Sequence, residues 1–141
     1  HLSSTVEGVY GIKKPHVRNN CQHVYYDWIA RYNSEEFGVP RSVFVKALRA
    51  EGVPVFEGYV RPLYQLPVFS ERKAIGRDGF PLNLSEREYE KGLCPVAERL
   101  YENEIIGFET CAYDLNQSKL DKITDAIKKV ISNITELVNY G

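Results

Sequence analysis

The stretch NQSKLDKITDAIKKVISNITEL, residues 116 to 137, places Leu120, Ile123, Ile127, Val130, Ile134 and Leu137 at alternating spacings of three and four. Wound as a helix, that spacing draws one apolar stripe, with Lys119, Lys122, Asp125, Lys128 and Lys129 on the other side. Asn116 can cap the helix, because its side-chain oxygen can accept from the first unpaired amides. An apolar stripe of this length has to be covered. A coiled-coil seam would do so, but the length favours one terminal helix laid on a sheet.

The rest of the chain supplies that sheet. His23 to Asn33, HVYYDWIARYN, is rich in aromatic and branched residues and alternates, Val24, Tyr26, Trp28 and Ala30 against Tyr25, Asp27, Ile29 and Arg31, which predicts a strand. From Pro40 the period changes. Phe44, Ala47, Leu48 and Glu51 fall at helical spacing, with Pro40 suited to a first turn and Gly52 to a left-handed stop. Val53 to Val60 reads as a second strand. Residues 70 to 92 are polar and glycine-bearing and predict a long excursion with at most one helical turn. Pro95 opens a short helix with Val96, Ala97, Leu100 and Tyr101 on one face, followed by a strand over Ile105 to Thr110. Residues 1 to 20 read as an arm or linker.

The predicted class is α+β: a small, mainly antiparallel sheet covered on one face by helices, with a long C-terminal helix. At 141 residues a single domain with one core is expected. The first residue is His1, and the expectation is a chain that starts inside a longer protein or on a short appended remnant.

Composition excludes more than it assigns. Eighteen Lys and Arg nearly cancel nineteen Asp and Glu, and an RNP1-type run is absent, so a nucleic-acid partner is not expected. Cys21, Cys94 and Cys111 form no CxxC pair and no disulfide framework, so a reducing, cytoplasmic setting is the default. His1, His16 and His23 lack metal-ligand spacing. Asn83-Leu84-Ser85 and Asn133-Ile134-Thr135 match the short glycosylation pattern, which recurs by chance. No apolar run reaches transmembrane length, so no membrane partner is expected.

No complete catalytic set assembles from the residues. Cys94 precedes a helix, where the dipole favours a thiolate, but a small buried cap is the better reading. His23 reads as a structural hydrogen-bonding residue, and Glu98 with Arg99 as a solvated surface pair. The segment GYVRPLYQLPVF, Gly58 to Phe69, is harder to account for. Two prolines forbid a central strand and stiffen a backbone carrying Tyr59, Arg61 and Tyr64, polar groups that suit a planar or anionic ligand. Equally, the tyrosines could pack on a helix and Arg61 could make a surface pair.

Taken in order, HVYYDWIARYNSEEFGVPRSVFVKALRAEGVPVFEGYVRPLYQLPVF, YEKGLCPVAERLYENEII and LNQSKLDKITDAIKKV resemble the C-terminal part of the DegT/DnrJ/StrS sugar aminotransferases, pyridoxal phosphate enzymes of the aspartate aminotransferase fold. The resemblance spans roughly residues 15 to 138. It implies that residues 21 to 141 are a small domain that closes over a cofactor held by a larger N-terminal domain. That domain would carry the Schiff-base lysine, the aspartate on the pyridine nitrogen and the phosphate-binding serine, none of which has a counterpart here; Lys13, Lys14 and Lys46 are in the wrong context. The implied reaction moves an amino group from glutamate or glutamine to a nucleotide-linked keto sugar or a cyclitol, in an enzyme expected to be a homodimer. The implied substrate-binding residues are Tyr59, Arg61, Tyr64 and Gln65, with Tyr64 standing where many relatives carry histidine. The alternative is a free-standing protein-interaction module without catalytic activity.

Overall fold

The computed structural model describes residues 1–140. Four strands, β1 (Ile12–Lys13), β2 (Trp28–Tyr32), β3 (Val55–Glu57) and β4 (Ile105–Phe108), form one antiparallel sheet in the order β1-β2-β4-β3. Seven helical segments accompany it: α1 (Leu2–Thr5), α2 (Ser34–Phe37), α3 (Arg41–Ala50), α4 (Pro67–Ser70), α5 (Pro95–Arg99), α6 (Gln117–Ser132) and α7 (Ile134–Leu137). The fold is α+β, with helices over one face of the sheet and a long helix near the C-terminus, as the apolar periodicities predict.

The register explains which face is covered. Trp28, Ala30 and Tyr32 of β2, Ile106 and Phe108 of β4 and Val55 of β3 are all buried. They meet Phe44, Val45 and Leu48 of α3 and Ile123, Ile127 and Val130 of α6. The α6 stripe is therefore consumed inside the domain, which removes the coiled-coil alternative. Tyr32, Phe37 and Phe44 form a three-ring cluster, with the Tyr32 centroid 5.0 and 4.8 Å from the other two and those 5.9 Å apart, and Tyr32 donates its hydroxyl to the Val39 carbonyl at 2.9 Å. Burial pushes its phenol pKa far above the ordinary value, so the ring enters the core as a neutral donor.

On the opposite face the central position of β4 is Gly107, opposite Ile29 on one side and Phe56 on the other. A Cβ there would lie 2.2 Å from the Phe56 ring and 2.7 Å from the Ile29 methyl. Only a hydrogen side chain lets those two groups close over the backbone.

Several boundaries differ from the sequence reading. The strand predicted over His23 to Asn33 is regular only from Trp28, because the residues before it have no partner strand; His23 stacks on Tyr25 at 4.0 Å and accepts its amide. The second strand ends at Glu57. Asn133 interrupts the terminal helix: its side chain donates to the Lys129 carbonyl at 2.8 Å, its φ of −108° departs from helical values, and the stripe continues in α7. The stretch 1 to 20, read as an arm, belongs in part to the domain. Leu2 and Val6 are buried, Ser3 accepts from the Trp28 indole at 2.8 Å, and Ile12 pairs with Tyr32.

Replacing Ile127, 1% exposed, by Ala should lower stability in urea unfolding by about 2–5 kcal/mol. Gly107→Val should fold poorly or unfold at markedly lower denaturant, since Phe56 and Ile29 have to be displaced; a wild-type midpoint would contradict this packing.

Candidate functional site

The Gly58–Phe69 loop leaves the sheet at the end of β3. Gly58 has a φ of +67°, its amide donates to the Ile105 carbonyl at 2.9 Å, and the Tyr101 ring lies so close that a Cβ would sit 3.1 Å from it. Both conditions call for glycine. Each proline then starts a turn, where its missing N–H costs nothing: Pro62 accepts from the Gln65 amide at 2.8 Å ahead of the tight turn Leu63–Gln65, and Pro67 opens α4.

The four predicted residues divide into two pairs. Tyr59 is 54% exposed, with its ring 5.7 Å from Phe56, and Arg61 is exposed and makes no hydrogen bond or ion pair among the described residues. Tyr64 and Gln65 are instead half-buried and engaged with each other: Gln65 Nε2 donates to the Tyr64 oxygen at 3.3 Å, while the Tyr64 hydroxyl donates to Glu98 Oε1. The same oxygen accepts the Gly92 amide at 2.6 Å.

Glu98 corrects the sequence reading. It is not a solvated partner of Arg99 but is 7% exposed, covered by the loops that carry Tyr64 and Gly92 rather than by the core. The Tyr64 hydrogen bond, more than any other contact, holds its carboxyl below the usual carboxylate range, against the opposing cost of burial. Tyr64 moves the other way, raised first by burial and then by the bond to Glu98. The two shifts agree on one state, a protonated phenol donating to an ionised carboxylate.

The helix that carries Glu98 is also not oriented as predicted. Val96 is 56% exposed, and the chain widens at Leu100 into a turn over Leu100–Glu104 wound one residue looser than an α-helix. That widening breaks the i, i+4 repeat on which the predicted face of Val96, Ala97, Leu100 and Tyr101 rested. Cys94 is exposed rather than a buried cap.

Arg41, at the first turn of α3, fixes the wide turn. Its guanidinium, with the side chain only 11% exposed, donates to the carbonyls of Tyr101 at 3.0 Å, Ile105 at 3.1 Å and Glu102 at 2.6 Å, and lies 3.5 Å from the Glu57 carboxylate. Burial lowers its pKa, with Glu57 opposing, and it stays charged. Sequence reading missed this role, although an arginine followed three residues later by the buried Phe44 places it on the inner side of α3.

Three clefts flank these groups, one of them, of about 480 Å³, lined by Arg41, Glu57 and Glu102 themselves. A second, of about 570 Å³, is bordered by Tyr26, Asp27, Phe56, Tyr59, Glu109 and Cys111. Desolvation first, then the nearby Tyr26 and Asp27, raises the Tyr59 phenol pKa, so it faces that cleft as a donor. The third, of about 390 Å³, contains Arg31 and Arg99, each 2.7 Å from Glu104 through Nε. Among the described residues no group of three or more His, Cys, Asp and Glu side chains is placed to hold a metal ion, and no helix is long and apolar enough to cross a membrane.

Arg41→Ala should cost about 3 kcal/mol in equilibrium unfolding, because three carbonyls lose a charged donor, and Arg41→Lys should recover only part of it. A loss under about 1 kcal/mol, the net value of one ordinary hydrogen bond, would contradict the anchoring role.

Compared with known proteins, the chain matches no family model and no curated protein.

Proposed function

We propose that this chain is the small domain of a pyridoxal phosphate-dependent sugar aminotransferase of the DegT/DnrJ/StrS type, the part that borders the substrate rather than the part that holds the cofactor. The reading rests on the sequence resemblance over residues 15 to 138, and the Gly58–Phe69 loop supports it by keeping Arg61 unpaired and Tyr59 half open while its other polar side chains are tied inward. An unpaired guanidinium beside aromatic rings suits the carboxylate of glutamate or glutamine, or the phosphates of a nucleotide-linked keto sugar. Tyr64 and Gln65, which the resemblance implies as ligand contacts, act in this reading as struts of the loop.

Pyridoxal phosphate supplies the electron sink for amino-group transfer when bound. The residues of this chain do not fit it, because every lysine is exposed, whereas a Schiff-base lysine works from a desolvated pocket. The cofactor belongs to a separate N-terminal domain, in a homodimeric, cytoplasmic enzyme acting on a nucleotide-linked keto sugar or a cyclitol. What remains to this chain is binding and orientation. Exposed Leu63, Leu84 and Val96, at 64%, 74% and 56%, are compatible with packing against such a domain, and equally with the alternative of a protein-binding module.

In the whole enzyme, Arg61→Ala should raise the Michaelis constant for one of the two substrates roughly ten- to a hundredfold and leave the other nearly unchanged. Unchanged constants for both would remove Arg61 from the site. Pyridoxal phosphate added to the 141-residue chain should give no internal-aldimine absorbance; the appearance of that band would contradict the division of labour.

A further inference from the structure

Glu98 is the only acidic residue buried among the described residues, and it sits on a five-residue helix whose neighbouring Val96 and Ala97 are exposed. Helix packing gives no reason for that inversion. The contacts of the carboxylate do: Oε1 accepts both the Tyr64 hydroxyl and, at 2.6 Å, the Gly92 amide, and Gln65 joins through the Tyr64 oxygen. One oxygen thus gathers three segments, the substrate-facing loop, the turn before α5 and α5 itself. Beyond it, the loop's other tie to the sheet is the Gly58 amide on Ile105, six residues before Tyr64. Arg61 lies midway between the two ties.

We infer that Glu98 is the positioning residue of the Gly58–Phe69 loop: its carboxylate clasps Tyr64 and Gly92, fixes the span between the two ties, and so sets where Arg61 stands without itself meeting a ligand. This rests on the reading of the loop as the ligand-facing wall. The charged and titratable groups around the clasp are few. Tyr64 faces it from the loop and Lys91 from the turn, the latter paired at 2.7 Å with Glu102 of the wide turn. No arginine or lysine bonds Glu98 directly, so its charge is held mainly by neutral donors, with Lys91 adding a smaller attraction.

Because the carboxyl pKa is depressed in the folded chain, the stability it contributes is present above the unfolded value and is lost as pH falls through the lower folded one. The clasp is therefore closed throughout the neutral range and opens only in acid.

The test is a pH titration of the 141-residue chain by two-dimensional amide NMR, following Gly92 and residues 59 to 66. The Gly92 amide and the loop amides should move together, with one midpoint below the ordinary glutamate value of about 4.3. Tyr64→Phe should raise that midpoint, having removed the largest stabiliser of the charge. Glu98→Gln, uncharged at every pH, should abolish the titration and hold the loop amides near the positions that the wild type reaches in acid. Glu98→Ala should displace them and speed their hydrogen exchange roughly tenfold or more. Loop amides that ignore the Gly92 titration, or that match wild type in Glu98→Ala, overturn the proposal; should Glu98→Ala fail to fold, unchanged loop amides in Tyr64→Phe do so. No substrate or cofactor enters these readouts. A working clasp with an indifferent Arg61 would therefore defeat only the aminotransferase reading, and the reverse result only the clasp.

Discussion

The guanidinium of Arg41 is the contact on which the outer half of the structure depends. The turn from α5 into β4 is wider than a helix, and two of its carbonyls, Tyr101 and Glu102, converge on Arg41 together with that of Ile105 at the start of β4. Hydrogen bonds from a charged donor are stronger than ordinary ones, so α3 stabilises the wide turn by bringing this side chain to it. The turn in turn fixes how α5 enters β4, a central strand of the sheet, and the position of α5 fixes Glu98. Core packing, the wide turn and the outer loop thus form one sequence of dependences, running from the buried Phe44 face of α3 outward to Arg61.

That arrangement separates the two jobs of the domain. One face of the sheet is covered by α3 and α6 and holds nearly all the buried apolar side chains. The other, over Gly107, is closed only by Phe56 and Ile29, and beyond it the Gly58–Phe69 loop stands on turns begun by proline and on hydrogen bonds to Glu98 and Ile105. Stability comes from the first face; presentation of Arg61, in the proposed function, comes from the second. A loop fixed in advance loses less entropy when it meets a ligand, which is what a wall of a binding site needs.

Most of the scaffold was legible from apolar spacing. The stripe on α6, the Phe44, Ala47 and Leu48 face of α3, and the order of strand, helix, strand, loop, helix, strand and long helix all follow from period, because burial of those side chains is what sets the period. What escaped was short or polar. β1 has two residues and α1 four, too few to carry a period, and they are held by tertiary contacts such as Trp28 to Ser3. The break at Asn133 is a local hydrogen bond inside an unbroken apolar repeat. Glu98 was read as solvated because a glutamate on a short helix usually is; its burial depends on the turn at Gly92 and on Tyr64, a residue distant in the chain that no local pattern connects to it. The candidate site was therefore readable as a loop, but not as the set of contacts that divides it into open and tied side chains.

The account stands or falls on whether that loop is a fixed wall, and nitrogen-15 relaxation of the isolated chain measures this directly. Backbone order parameters for residues 59 to 66 should lie close to those of β2 and β4, at the rigid-backbone level of about 0.85. Values below about 0.6 across those residues, with the strands still rigid, would mean that the loop is a flexible tether and would contradict the account.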